Sequence, residues 1–152
     1  MKVKTLSKSE IKIVNEKLQK YDISLTKKDL VQLAEDEFSY LKINQEIAFF
    51  YNENELLPTL KTLLKNNFLK TVIVDMGAVK FICNGADIMR QGITAIQPDI
   101  KEGEIITVID EKNHKPLMVG KALFSSEAME AQTEGKVIKS LHYVGDEIWN
   151  LS

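Results

Sequence analysis

The sequence predicts an α+β chain in two units. A small N-terminal α+β unit spans residues 1–70. A C-terminal unit over residues 71–152 is built of short, mostly antiparallel strands with short helices, closed as a small barrel or sandwich. Three observations carry this. All seven glycines lie between Gly77 and Gly145, and none falls in residues 1–76. Glycine serves tight turns, bulges and close backbone approaches, so a glycine-free half followed by a glycine-punctuated half indicates two architectures. Charge divides near the same place: residues 1–70 hold 12 lysines and 10 acids, residues 71–152 eight Lys/Arg and 12 acids, for nets of +2 and −4. Finally, the apolar residues of the second half fall in short runs with turn signals between them.

In the first half, Ser7-Lys8-Ser9-Glu10 has the pattern of a capping box and precedes Ile11, Val14 and Leu18 at helical spacing. Thr26-Lys27-Lys28-Asp29 repeats the pattern ahead of Leu30, Leu33 and Ala34 and predicts a second short helix. Phe38 to Ile43 and Ile47 to Tyr51 read as two strands joined at Asn44-Gln45-Glu46. Pro58 suits the first turn of a helix, with Leu60, Leu63, Leu64 and Phe68 following on one face.

In the second half, strands are predicted at Val72–Val74 and Ala78–Ile82. The turn Asn84-Gly85-Ala86-Asp87 is expected to open a short helix from Ala86 to Arg90. Glu104–Ile109 and Leu117–Leu123 form strands around a loop long enough for a hairpin. Ser125 caps a short helix through Met129. Val137–Val144 and Glu147–Leu151 read as a last strand pair around Gly145-Asp146, a hairpin-turn signature.

Composition narrows the function classes. The net charge of −2 over 152 residues creates no global field that attracts phosphate, so any RNA contact must use a local patch, backbone amides or shape. A single cysteine, Cys83, permits no internal disulfide. With only His114 and His142 beside it, a structural zinc site is not expected, and no cofactor is implied. No apolar run approaches the roughly 20 residues of a membrane span, and no hydrophobic signal core follows the basic N-terminus, so the expectation is a cytoplasmic protein without membrane contact. No Walker loop, Gly-x-Ser-x-Gly or His-Glu-x-x-His word occurs. Cys83 with His142 and an acid such as Asp87 or Asp75 is the one nucleophile site that could be assembled. Cys83 ends the apolar run Phe81-Ile82-Cys83, however, where cysteine behaves as a small buried hydrophobe. The chain is therefore read as a non-enzyme.

The segment Val74-Asp75-Met76-Gly77-Ala78-Val79-Lys80-Phe81-Ile82, followed by Asn84-Gly85-Ala86-Asp87-Ile88-Met89-Arg90-Gln91-Gly92-Ile93, resembles the opening of a PUA domain, named for pseudouridine synthases and archaeosine transglycosylases. Leu117–Ala122, Ser125-Ser126-Glu127, Gly135-Lys136 and His142–Trp149 agree in order and spacing, so the resemblance covers roughly residues 72–151. The words Glu46-Ile47-Ala48-Phe49-Phe50 and Pro58-Thr59-Leu60 make the first half similar to the domain that precedes PUA in the malignant T-cell-amplified sequence protein and ligatin. The resemblance implies a pre-PUA domain and a PUA pseudo-barrel, in an archaeal member of that translation-factor family. It also implies binding near the P site of the small ribosomal subunit, to tRNA or small-subunit rRNA, with a possible translation-factor partner. A monomer is expected. Relatives often have proline where this chain has Gln91, which removes a conformational lock from the loop.

The resemblance assigns the RNA groove to Gly85, Ala86, Asp87, Ile88, Met89, Arg90 and Gly92. Amides at the start of a helix there would suit a phosphate or a terminal ribose. Arg90, the only arginine, is either a phosphate fork or a solvated charge, and Asp87 either lines the groove or caps the helix. Lys121, Lys136 and Lys139 could supply phosphate contacts or be scattered surface lysines. Of the strand neighbours His142 and Tyr143, alternation places one in the core. Trp149 and Phe49-Phe50-Tyr51 read as packing within or between the units. Two other readings stay open: an RNA-docking subunit of a modifying enzyme, and a protein-interaction adaptor.

Overall fold

A computed structural model describes residues 1–151. The chain opens with β1 (Lys2–Thr5) and α1 (Lys8–Leu18). Ser7 caps α1 through the full capping box with Glu10, and Val14 and Leu18 are its buried face. Then come β2 (Val31–Glu35), β3 (Ser39–Ile43), β4 (Glu46–Asn52) and β5 (Glu55–Pro58), which with β1 make an antiparallel meander in sequence order. The two residues between β3 and β4, Asn44 and Gln45, both have positive φ, as the twist of a two-residue hairpin requires. Thr59 caps α2 (Leu60–Lys65), which buries Leu60 and Leu63.

The second sheet contains β6 (Thr71–Val74), β7 (Ile88–Met89), β8 (Ile93–Ile96), β9 (Ile105–Asp110), β10 (Pro116–Ala122) and β11 (Lys136–Tyr143), in the order β7-β11-β10-β9-β6-β8. Every pairing in it is antiparallel except β6 with β9. α3 (Val79–Ile82) and α4 (Ser126–Ala131) cover it, and α5 (Glu147–Asn150) ends the described chain. The sheet is curled and nearly closed around Val72, Val74, Ile106, Val108, Met118 and Ile138. A second core cluster joins the two halves: Phe50, Leu57, Leu60 and Leu63 pack with Ile105, Val119 and Ile148, and Trp149 lies against them. Phe49 turns instead into the first sheet's own core with Val14 and Leu41. The cluster Phe49-Phe50-Tyr51 is therefore packing.

Five expectations are corrected. Residues 30–34 are not helical: Val31–Glu35 is hydrogen-bonded between β1 and β3, and the Thr26–Asp29 pattern closes a turn, with the Asp29 carboxylate accepting from Thr26 N–H and Asn44 Nδ2–H. Pro58 ends β5 instead of opening the helix. Ala78–Ile82 is a 3₁₀ turn running into α3, because the Asp75 side chain accepts from the Ala78 N–H and starts a helix. Ala86–Arg90 is extended through β7, since Ile88 is buried in the barrel and paired to Ile138 on β11. Glu147–Asn150 is helical, because Asp146 caps it by accepting from Trp149 N–H.

Candidate nucleic-acid interface

The residues from Asp75 to Gly92 form one continuous surface. Helix α3 has Ile82 inside the barrel, while Phe81, a little over a quarter turn away around the helix, is 57 % exposed. β7 has Ile88 inside and Met89 outside, 48 % exposed, by the two-residue alternation of a strand. Between them lies a cleft of about 430 Å³, lined mainly by apolar atoms of Ala78, Phe81, Ala86, Ile88 and Met89, with Gly92 at one end. Lys80 holds its ammonium 5.1 Å from the Phe81 ring centroid. An exposed ring beside an apolar slot and a cation is the chemistry that holds an unstacked base and its phosphate.

Gly85 sits at the back of this loop with φ +90, and a Cβ there would come 3.1 Å from Tyr143 Oη. Both the left-handed backbone and the packing against Tyr143 therefore require glycine. Three of the loop's amides are already spent: Gly85 N–H donates to Ile82 O, Ala86 N–H to Phe81 O and Arg90 N–H to Gly135 O. The expected helix N-terminus is absent, so the anion site inferred from it is withdrawn.

Asp87 does not cap a helix. Its Oδ1 accepts from Ser140 N–H at 2.7 Å and its Oδ2 pairs with Lys136 Nζ at 3.2 Å, which ties the loop to β11. Burial pushes its carboxyl up, but the Ser140 amide and the Lys136 ammonium outweigh that and hold it below the ordinary carboxylate value. Both of its oxygens are thus engaged, and the Lys136 ammonium offsets its charge at the cleft. Arg90 is turned inward: Nε donates to Met129 O at 2.7 Å and Nη1 to Ile93 O at 3.4 Å, bolting the corner between β7 and β8 to α4. Lys139 stands directly across the β10–β11 ladder from Lys121, and Lys136 across from Met89. Lys136 and Lys139 thus lie on β11 near Asp87, whereas Lys121 lines a groove with Lys17, Lys20 and Glu55 of the first half, and Arg90 joins neither.

His142 is the core member of the His142–Tyr143 pair. Its Nε2 accepts from Leu60 N–H at 3.0 Å, which requires the proton on Nδ1, 2.9 Å from the Asp146 carboxylate. Both ring nitrogens are occupied, and neither reaches Cys83. Burial pushes the Cys83 thiol up, away from the reactive thiolate. Among the described residues no group of three or more His, Cys, Asp or Glu side chains could hold a metal ion. A wider groove of about 700 Å³ between the two halves brings Lys20, Lys70 and Lys101 beside Glu55 and Glu104. Its charges are matched, Lys20 with Glu55 and Lys70 with Glu104, and it presents no phosphate-attracting field.

The expected groove residues began at Gly85 and left out Phe81, which was read as part of a strand over Ala78–Ile82. The available signal was Asp75, three residues before Ala78, as the N-cap of a helical turn over the residues that follow.

Residues 70–144 match the PUA domain family, and residues 4–66 match a family described as a domain of unknown function, DUF1947. An uncharacterized protein of Methanocaldococcus jannaschii is 41% identical over 151 residues, which cover 95% of this chain and 93% of that protein. The chain belongs to the PUA-domain family. Its relatives include translation machinery-associated protein 20 of Saccharomyces cerevisiae, 31% identical over 86% of this chain and 77% of that protein. Malignant T-cell-amplified sequence 1 of Rattus norvegicus is 33% identical over 84% of this chain and 74% of its own length. The fold agrees: a hypothetical protein of Pyrococcus horikoshii superposes with a TM-score of 0.84 at 31% identity, covering 99% of both chains. The similarity to these proteins thus extends over more of the chain than either unit alone.

Proposed function

We propose that this PUA-domain protein is a non-enzymatic RNA-binding module of the translation machinery, and that it contacts tRNA or small-subunit rRNA through the Phe81–Met89 cleft. The observation that carries the reading is the cleft itself: an exposed aromatic ring and a methionine, with an apolar slot between them and Lys80 at the ring. Stacking on such a ring is worth about 1–3 kcal/mol per base and needs no global positive charge, which suits a chain of net charge −2. Lys136 and Lys139, near Asp87 at the cleft, supply phosphate contacts, and Lys121 adds one on the side toward the first half. Of the groove residues, Ala86, Ile88, Met89 and Gly92 form its wall, Gly85 and Asp87 shape the loop, and Arg90 braces it from behind. The committed nitrogens of His142 and the raised thiol of Cys83 support the non-enzymatic reading.

The test is co-sedimentation of the purified protein with small ribosomal subunits and with tRNA, at low and near-physiological salt. Wild type is expected to sediment at both salts, and Phe81→Ala to weaken binding by about 1–3 kcal/mol without loss of folding, since the ring is exposed. Binding that occurs only at low salt and ignores Phe81→Ala would favour an adaptor that recognises protein.

A further inference from the structure

The cleft is apolar except at three side chains, Asp75, Asp87 and Gln91. Asp87 spends both oxygens on Ser140 and Lys136. Asp75 spends one: Oδ1 accepts from Ala78 N–H at 3.1 Å, while Oδ2 has no partner among the described residues. The residue is fixed in place, because it follows β6 and its own N–H donates to Gly92 O at 3.0 Å. A Cβ at Gly77 would stand 3.1 Å from Asp75 Oδ1 and crowd the cap bond to Ala78 N–H, so the glycine helps to keep the carboxylate in this position. Asp75, with Oδ2 unpaired, and the Gln91 amide are therefore the polar groups at an otherwise apolar slot, and of the two only the carboxylate is an acceptor alone, since the amide also donates.

We propose that Asp75 Oδ2 makes the cleft selective for a base that carries an exocyclic amine, taking cytosine over uracil. The inference rests on the reading of the cleft as an RNA site. A carboxylate only accepts hydrogen bonds. Cytosine offers N4–H₂ at the edge where uracil offers the O4 acceptor, and acidic side chains pair with that amine. In an apolar slot, two acceptors facing each other lose their water without a replacement, which costs more than the matched pair gains. Cytosine and uracil have the same ring size, so stacking on Phe81 does not separate them and the carboxylate does.

The experiment is fluorescence anisotropy of labelled short oligocytidylate and oligouridylate against wild type, Asp75→Asn and Phe81→Ala. Wild type is expected to bind oligocytidylate on the order of tenfold tighter, the size of one hydrogen bond to a charged group. Asparagine caps the following turn as well as aspartate does but presents an amide donor in place of the free oxygen, so Asp75→Asn should lose or reverse the preference with the fold intact. Phe81→Ala should weaken both oligomers. Equal binding of the two by wild type, or a preference that Asp75→Asn leaves untouched, overturns the role of Asp75 while sensitivity to Phe81→Ala keeps the cleft as the site. Indifference of both oligomers to Phe81→Ala overturns the cleft and the selectivity together.

Discussion

At the scale of single residues, the site is shaped more by what must stay small than by what touches a ligand. Gly85 illustrates this. Its φ of +90 is a conformation L residues rarely adopt, and the Tyr143 ring fills the space a side chain would need, with Oη, Cζ and Cε1 all within 3.3 Å of a Cβ. A substitution here therefore acts on folding before it acts on binding. Gly85→Ala is expected to cost about 1–3 kcal/mol, from backbone strain and displacement of Tyr143, and a urea titration would show the lowered midpoint. Tyr143→Leu in the same background should return part of that loss, because the alanine methyl then meets a side chain that can yield. If the double variant is no more stable than Gly85→Ala, the strain lies in the backbone alone. Arg90 belongs to the same class of residue: its guanidinium holds backbone carbonyls of Met129 and Ile93, so its contribution to any ligand is through the corner it fixes.

At the scale of elements, β10 shows how the second half closes. Gly120 lies at a register shift opposite Ser140, and an added Cβ would meet Ile138 Cγ2 at 2.6 Å and the Lys139 carbonyl at 2.9 Å. The glycine lets β10 and β11 approach and bend where the sheet curls. Gly120→Ala is expected to destabilise by about 1–3 kcal/mol, read from thermal unfolding; an unchanged melting temperature would mean that the strands shift apart freely there. Elements whose own residues dictate them were legible in the sequence: α1 from its capping box, β3 and β4 from the runs around Asn44, β9 and β10 from their apolar stretches, α4 from Ser125. Those that failed were decided by neighbours. Residues 31–35 carry a helix-like spacing but gain β1 and β3 as hydrogen-bond partners, and Glu147–Asn150 follows a turn signature that Asp146 converts into a cap. The candidate site shared this fate. The glycine loop was marked by the family resemblance alone, and its demand for glycine becomes visible only in its φ and its packing on Tyr143. The exposure of Phe81 depends on Asp75 starting a helix that local strand propensity hides.

At the scale of the whole molecule, the two halves are held as one by an apolar seam and one polar bolt. Leu60 N–H is the first donor of α2 and has no partner within its own helix. It is buried, and His142, 82 residues further along the chain, accepts from it. The acceptor state of Nε2 is set by Asp146, which accepts a hydrogen bond from Nδ1–H and also from Tyr143 N–H and Trp149 N–H. Burial pushes the Asp146 carboxyl up, but the His142 hydrogen bond and the two amides outweigh that and hold it below its ordinary value of 3.8. A carboxyl depressed in the folded state adds stability that is complete above 3.8 and is lost as pH falls through the lower folded value. Asp146→Asn keeps the cap and an acceptor for Nδ1–H but removes that charge. The variant is therefore expected to be less stable than wild type at neutral pH, with the gap closing as the pH drops below 3.8. Urea midpoints measured for both proteins across that range check it. A gap of constant size would mean that Asp146 holds the seam by shape, and that the fixed relation between the cleft's half and the pre-PUA half owes nothing to its charge.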